Sequence, residues 1–173
     1  FAQSELMTGT ALSLAAYPYA MASVAQGSPV TPAQALSLYP LTDFGGNPSS
    51  SVSAAITDKV FACNGRRAAQ ALAKTVPVWA YEFNDVNAPM TLQPQVSYPY
   101  KAYHAAEIQY LFAEPAALLN TAQRKLSERM VASWVRFAKS GSPIQPWQQA
   151  QWPNYNKRDL YLQLAPEGDK VDR

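Results

Sequence analysis

Between positions 5 and 25 the chain is mostly Ala, Leu, Met, Ser and Tyr, with Pro18 interrupting a helical pattern, and this predicts two short helices. Thr31-Pro32 joins an N-cap oxygen to a residue whose fixed φ suits a first turn, so a helix over Pro32–Leu38 is expected to stop before Pro40. Gly45-Gly46-Asn47-Pro48 and the serine run make Thr42–Ser51 a loop, with Ser50 or Ser51 able to cap the next helix. Over Val52–Lys74, apolar positions including Ile56, Val60, Ala68 and Leu72 recur at helical spacing, and Asn64-Gly65 marks a break between two helices.

The period then changes. Val76-Pro77-Val78-Trp79-Ala80-Tyr81-Glu82-Phe83 is β-branched and aromatic, apolar on both faces, with its proline near the start, which reads as a strand buried inside a sheet and running parallel to its neighbour. The best partner in the chain is Leu160–Leu164, a late edge strand. A two-sided strand with so few neighbours would expose backbone groups, so further strands are expected from a longer polypeptide. Asn84–Tyr100, with three prolines, is a loop. Asn120 and Gln123 have capping-box spacing ahead of a helix through Ser140, whose buried stripe would be Leu126, Met130, Trp134 and Phe137. Lys139, Gly141 and Pro143 terminate it. The expected class is therefore α/β, mostly helical, with one interior strand and one late edge strand.

At 173 residues and 48% hydrophobic content the chain is long enough for one domain with a sizeable core. The net charge of +2 with scattered basic residues leaves no electrostatic footprint for nucleic acid, and no apolar run is long enough to span a bilayer. A single cysteine, Cys63, excludes an internal disulfide and a thiolate metal cluster. It reads as a small, partly buried residue of the helical stretch Asp58–Leu72 rather than as a nucleophile. No metal or cofactor is implied. The start, Phe1-Ala2-Gln3-Ser4-Glu5, has neither an initiator methionine nor a basic leader segment, and the chain is expected to begin within a longer protein.

His104 is the only histidine. A group that titrates near neutral pH occurs once, so acid/base chemistry at physiological pH would run through it. By itself, a histidine beside aromatic residues is more often structural, and context must decide.

That context is a collinear set of short stretches: Leu38-Tyr39-Pro40, Thr57–Phe61, Val78–Phe83, the His104 segment, Met130–Ala138 with Gly141-Ser142-Pro143, and Trp152–Tyr155. In this order they resemble the C-terminal part of the type-B carboxylesterases, the cholinesterase-like branch of the α/β-hydrolases, from about residue 30 almost to the end. The resemblance implies a Ser-His-Asp/Glu triad acting on a small-molecule ester, with His104 as its base and acid. Glu107, three positions on, matches an acidic residue that supports the active-site network without being the triad acid. Ala105 stands where the family often has glycine, and Lys101 where a small residue commonly precedes the histidine.

No Gly-x-Ser-x-Gly occurs in the chain, so the resemblance places the nucleophile and the oxyanion loop in an N-terminal part of the same protein, the expected partner of residues 1–173. The isolated chain is expected to be inactive. Glu5 is a carboxylate but lacks the family's triad-acid motif around it, and reads instead as a surface position of an amphipathic helix. Tyr17, Tyr19, Tyr98, Tyr110 and Phe112 could line a substrate wall or simply pack. The resemblance also favours a secreted or periplasmic setting. A different class remains open: a cholinesterase-like binding or adhesion module that kept the fold and lost catalysis.

Overall fold

The computed structural model describes residue 5 and residues 10–90, 94–112, 118–147, 151–155 and 158–173. The chain divides into two compact units: Phe1–Gly65 with Gln93–Tyr100, and Arg66–Leu92 with Lys101–Arg173.

In the first unit, helix α1 (Tyr17–Ala25) carries Pro18 in its first turn, where a missing N–H costs nothing. The proline therefore starts this helix instead of splitting a longer one. The earlier helix predicted from residue 5 falls largely outside the described residues. Helix α2 (Pro32–Leu38) has the expected N-terminus, a full capping box: Thr31 Oγ1 accepts from Gln34 N at 3.3 Å and Gln34 Oε1 accepts from Thr31 N at 2.9 Å. A 3₁₀ turn, Leu41–Phe44, precedes α3 (Pro48–Thr57). The cap of α3 is Asn47, whose Oδ1 accepts from Ser50 N at 3.0 Å, not Ser50 or Ser51. Ser51 is instead fully buried and donates to Tyr39 O at 2.8 Å, beside the Tyr17 hydroxyl bound to the same carbonyl at 2.6 Å.

Beyond α3 the helix does not break at Asn64-Gly65. It widens into a π turn over Asp58–Ala62 and continues as α4 (Cys63–Leu72). Asn64 Nδ2 donates back to Val60 O at 2.9 Å and Lys59 O at 3.3 Å, so the residue read as a helix stop supplies a donor to the carbonyls of the widened turn. Lys59 Nζ closes the end of α1, bonding Val24 O at 2.7 Å and Gln26 O at 2.5 Å. Tyr17, Met21, Ala25, Ala35, Val52 and Ala55 form the core of this unit.

Among the described residues the second unit holds most of α4, a three-stranded sheet, and helices α5 (Ile108–Leu111) and α6 (Thr121–Ser140). Its strands are β1 (Tyr81–Phe83), β2 (Tyr161–Leu164) and β3 (Lys170–Asp172), in that spatial order. β1 runs parallel to β2, with Tyr81 opposite Leu162 and Phe83 opposite Leu164; β3 pairs antiparallel with β2. The parallel pairing is as expected, but the strand positions are not. β2 is the central strand and β1 lies on the outside of the described sheet, with Tyr81 and Glu82 exposed. Ladder pairing covers three residues of β1, its first bond running from Leu162 N to Ala80 O, and the carbonyls at this end also receive donors from outside the sheet. Val78 O accepts from Tyr155 N at 2.6 Å, and Ala80 O takes both Leu162 N at 3.0 Å and Trp152 Nε1 at 2.8 Å.

β3, for which the sequence pattern offers no strand, comes after a tight turn closed by Gly168 N to Ala165 O at 3.2 Å, with Gly168 at φ 137°. Arg129 of α6 grips this turn. Its guanidinium reaches both oxygens of Asp169, at 3.1 and 3.0 Å, and Ala165 O at 2.9 Å.

α6 begins and ends as its sequence indicates, with the Asn120–Gln123 capping box and Gly141 at φ 73°. Leu126 and Met130 are fully buried with Tyr110, Leu119, Trp152, Leu162 and Leu164, each such side chain worth on the order of 2 kcal/mol relative to exposure. The stripe departs from expectation at one end. Ser133 is buried, Trp134 only partly so, and Phe137 is half exposed, its ring edge-on to Trp79 at 6.0 Å.

Several phenols in these cores hold their protons more tightly than a free tyrosine. Burial, then the carboxylates of Glu82 and Asp172, push Tyr161 up to about 12; Tyr39 and Tyr110 are raised further, by burial first and then by their bonds to Asp58 and Asp85. A group whose folded pKa is raised contributes stability that is complete below its unfolded value, about 10, and is lost as the pH climbs through the folded value. Thermal melts should therefore be flat on this account up to about pH 10 and fall steeply between about 10 and 12. The phenolate absorbance contributed by Tyr39, Tyr110 and Tyr161 should rise together with unfolding rather than before it.

Candidate active site

His104 lies in a four-residue turn, positions 104–107, that leads directly into α5. Its own side chain is exposed, while both flanking anchors, Tyr103 and Ala106, are buried. The turn is held by backbone bonds, Ala106 N to Tyr103 O at 2.9 Å and Ile108 N to Ala105 O at 3.2 Å. Two non-glycine residues around it take left-handed backbone: Lys101 at φ 54° and Ala105 at φ 72°. These are the two positions where the sequence places larger residues than the resemblance leads one to expect. The positive φ at Ala105 supplies the physical reason for glycine there, since glycine has no Cβ to clash with the neighbouring carbonyl.

Glu107 is half-buried at the N-terminal boundary of α5, and its carbonyl accepts from Tyr110 N at 3.0 Å and Leu111 N at 3.3 Å. Its carboxylate is near enough to add to the raised pKa of Tyr81, whose larger cause is burial.

What fixes this turn to the sheet is a network centred on Asp85, a residue that the sequence reading did not single out. Asp85, two positions beyond the end of β1, is 2% exposed and accepts three hydrogen bonds: from the Tyr110 hydroxyl, from Gln123 Nε2 at 2.8 Å and from Asn87 N at 2.9 Å. Gln123 Nε2 also donates to Asn87 O at 3.0 Å. Tyr110 stacks edge-on with Phe83 of β1 at 4.9 Å, and its carbonyl accepts from Ser127 Oγ at 2.6 Å. Farther along the same loop, Pro89 O receives the Tyr103 hydroxyl at 2.9 Å and Gln109 Nε2 at 2.8 Å. The His104 turn is thus tied to the segment leaving the carboxyl end of a strand in a parallel pair, the end at which open α/β sheets bind ligands. A usable signal was present for Asp85, because Asn84-Asp85-Val86-Asn87 is turn chemistry in which an Asp oxygen caps the amide two residues on.

The other candidates sort plainly. Cys63 is exposed on α4 rather than partly buried. Glu5 is buried, not on the surface, and both its oxygens are engaged by Ser97, through the amide at 2.6 Å and the hydroxyl at 2.9 Å. Tyr17 and Tyr110 are core residues, Tyr98 bonds Ser53 at 2.6 Å, and Tyr19 and Phe112 are exposed. Among the described residues no cluster of His, Cys, Asp and Glu could hold a metal ion, and no helix is long and apolar enough to cross a membrane.

A mostly helical chain with a short parallel strand pair is part of an α/β-hydrolase fold, and comparison with solved structures agrees. A PNB esterase structure superposes with a TM-score of 0.66 at 25% identity, covering 94% of this chain and 31% of that one. The carboxylesterase family model matches residues 19–173, and the chain belongs to that family. It is 32% identical to carboxylesterase 4A of Bos taurus over 90 residues, 51% of this chain and 16% of the relative. With acetylcholinesterase of Bungarus fasciatus it shares 34% over 92 residues, 50% and 14% respectively. With para-nitrobenzyl esterase of Bacillus subtilis (strain 168) it shares 28% over 131 residues, 66% and 25%. The matched segments span a quarter or less of these curated relatives.

Two outcomes test the geometry of the turn. Ala105→Gly should raise stability by about 0.5–1 kcal/mol, the relief of left-handed strain net of glycine's extra entropy, and so lift the melting temperature by a few degrees. Asp85→Ala strands the buried Tyr110 hydroxyl and one hydrogen of Gln123 Nε2, at about 1–3 kcal/mol for each buried donor, and removes the turn bond from Asn87 N, so it should lower the melting temperature far more, with Asp85→Asn intermediate. Equal melting temperatures for Asp85→Ala and the unaltered protein would show that the carboxyl group is not the anchor.

Proposed function

We propose that these residues form the C-terminal part of a serine carboxylic ester hydrolase and supply its general base, His104. The observation that carries this reading is that the chain's only imidazole is exposed in an anchored turn beyond the carboxyl end of a parallel strand, in a chain of the carboxylesterase family. The nucleophilic serine and the triad acid come from an N-terminal part of the same protein, since no Gly-x-Ser-x-Gly lies within the 173 residues. The open edge of β1, with Val76 and Tyr81 exposed, is where that part would extend the sheet.

In the reaction, the imidazole takes the serine proton as the serine oxygen bonds to the ester carbonyl carbon. The imidazolium then gives that proton to the departing alcohol, leaving an acyl-enzyme. Water attacks the acyl carbon in the second half, again losing its proton to His104, and the serine is regenerated when that proton returns to it. Glu107 orients this network without transferring the proton. The substrate class is a small-molecule carboxylic ester, and the 173 residues alone make no acyl-enzyme.

In the protein that contains the serine, His104→Ala should cut kcat by roughly four orders of magnitude or more while moving the melting temperature by no more than a few degrees, because the side chain is exposed. Glu107→Gln should cost less. Turnover of His104→Ala within about tenfold of the parent, a barrier change of about 1.4 kcal/mol, would falsify the assignment. A substituted serine upstream would instead favour a binding module.

A further inference from the structure

The exposed His104 is framed by two side chains that share one acceptor. Tyr103, immediately before it, sends its hydroxyl to Pro89 O at 2.9 Å, and Gln109, five residues after it, sends Nε2 to the same oxygen at 2.8 Å. Gln109 Nε2 lies 3.1 Å from Ala106 O, inside the histidine turn, and 3.4 Å from the Tyr103 hydroxyl. Both side chains are buried, and neither touches solvent in a way that would favour a polar residue for its own sake. The Oε1 atom of Gln109 is buried with no hydrogen-bond partner among the described residues, whereas its nitrogen is engaged. Apolar residues would fill the same space without that unsatisfied acceptor.

We infer that Tyr103 and Gln109 are positioning residues for His104, a clamp that closes the turn on the Pro89 carbonyl and fixes where the imidazole sits relative to the end of β1. This rests on His104 being the base. The turn needs such a clamp because Ala105 holds a left-handed backbone that an alanine leaves readily when released. Two donors converging on one carbonyl, one from each side of the histidine, resist both a shift of the turn along the loop and a relaxation of Ala105. Removing one leaves the other bond in place, so the two act together and their effects should not add.

The test uses the complete protein with p-nitrophenyl acetate as the ester. Tyr103→Phe and Gln109→Met keep shape and apolar packing while deleting the donors. Each should lower kcat with KM little changed, and the double variant should approach a hundredfold loss, the scale on which misplacement of a catalytic group by about 1 Å is felt. The acid limb of the kcat/KM pH profile should shift in the double variant, because the imidazole changes surroundings. A residue that only supports the fold would not produce that shift at temperatures well below the melt.

Gln109→Asn keeps the amide but falls one methylene short, and should resemble Gln109→Met. Unchanged kcat and pH profile in the double variant, alongside an inactive His104→Ala, overturns the clamp and leaves the base assignment standing. Full activity in His104→Ala overturns both. Should Gln109→Met fail to fold, Tyr103→Phe alone decides: a kcat and pH profile identical to the parent refutes the proposal.

Discussion

The second unit is organised around a carboxyl group that three donors reach from three different parts of the chain. Asp85 leaves β1, and its oxygens take the amide of its own turn at Asn87, the phenol of Tyr110 and the side-chain amide of Gln123. Burying a carboxyl group without partners would cost several kcal/mol, so these bonds turn a liability into a constraint on direction. Gln123 makes the constraint rigid by doing two jobs. Its Oε1 accepts from Asn120 N at 2.9 Å in the capping box of α6, while its Nε2 binds Asp85. The start of the longest helix, the end of β1 and the helix after His104 are therefore held at one point. The cluster of Tyr110, Leu126, Met130, Leu162 and Leu164 then has only one way to close.

Backbone strain collects at the neighbouring turn. Lys101 and Ala105 both occupy left-handed backbone, at a cost of order 1–3 kcal/mol each for residues with a Cβ. Such conformations persist only where the surroundings over-determine them. Here the surroundings are buried Tyr103 and Ala106 on either side of an exposed His104. Buried anchors around a single exposed polar side chain give a position that is precise yet contributes little to the core, so with His104 as the proposed base, substitutions at 104 would act on chemistry and those at 103 on geometry.

Local signals were readable and long-range ones were not. The capping boxes at Thr31/Gln34 and Asn120/Gln123, the stop at Gly141 and the strand near Leu160–Leu164 arise from residues a few positions apart. The rank of strands in the sheet depends on pairing across some eighty residues, and an apolar run such as Val76–Phe83 does not reveal whether β2 or β1 is central. β3 was invisible because Lys170-Val171-Asp172 has one apolar residue. Asn64-Gly65 misled because an Asn side chain can bond back to the preceding turn as well as end a helix. His104 stood out by being unique, but Asp85, Gln109 and Pro89 matter only through contacts that the linear order conceals.

Register is what carries this precision to the site. β1 touches the described sheet on one side only, so the placement of Asp85 and Pro89 depends on its alignment with β2. A slip of one residue would turn the partly buried Phe83 away from the core, since side chains alternate along a strand. β2 cannot accommodate that slip: Leu162 and Leu164 are fully buried, and Arg129 pins the turn after it through Ala165 O and Asp169. The Arg129–Asp169 pair is mostly shielded and forked, so it resists rotation as well as separation. The hairpin at the end of the chain thereby sets the register of β1, β1 sets the loop that carries Asp85 and Pro89, and that loop sets the position of His104.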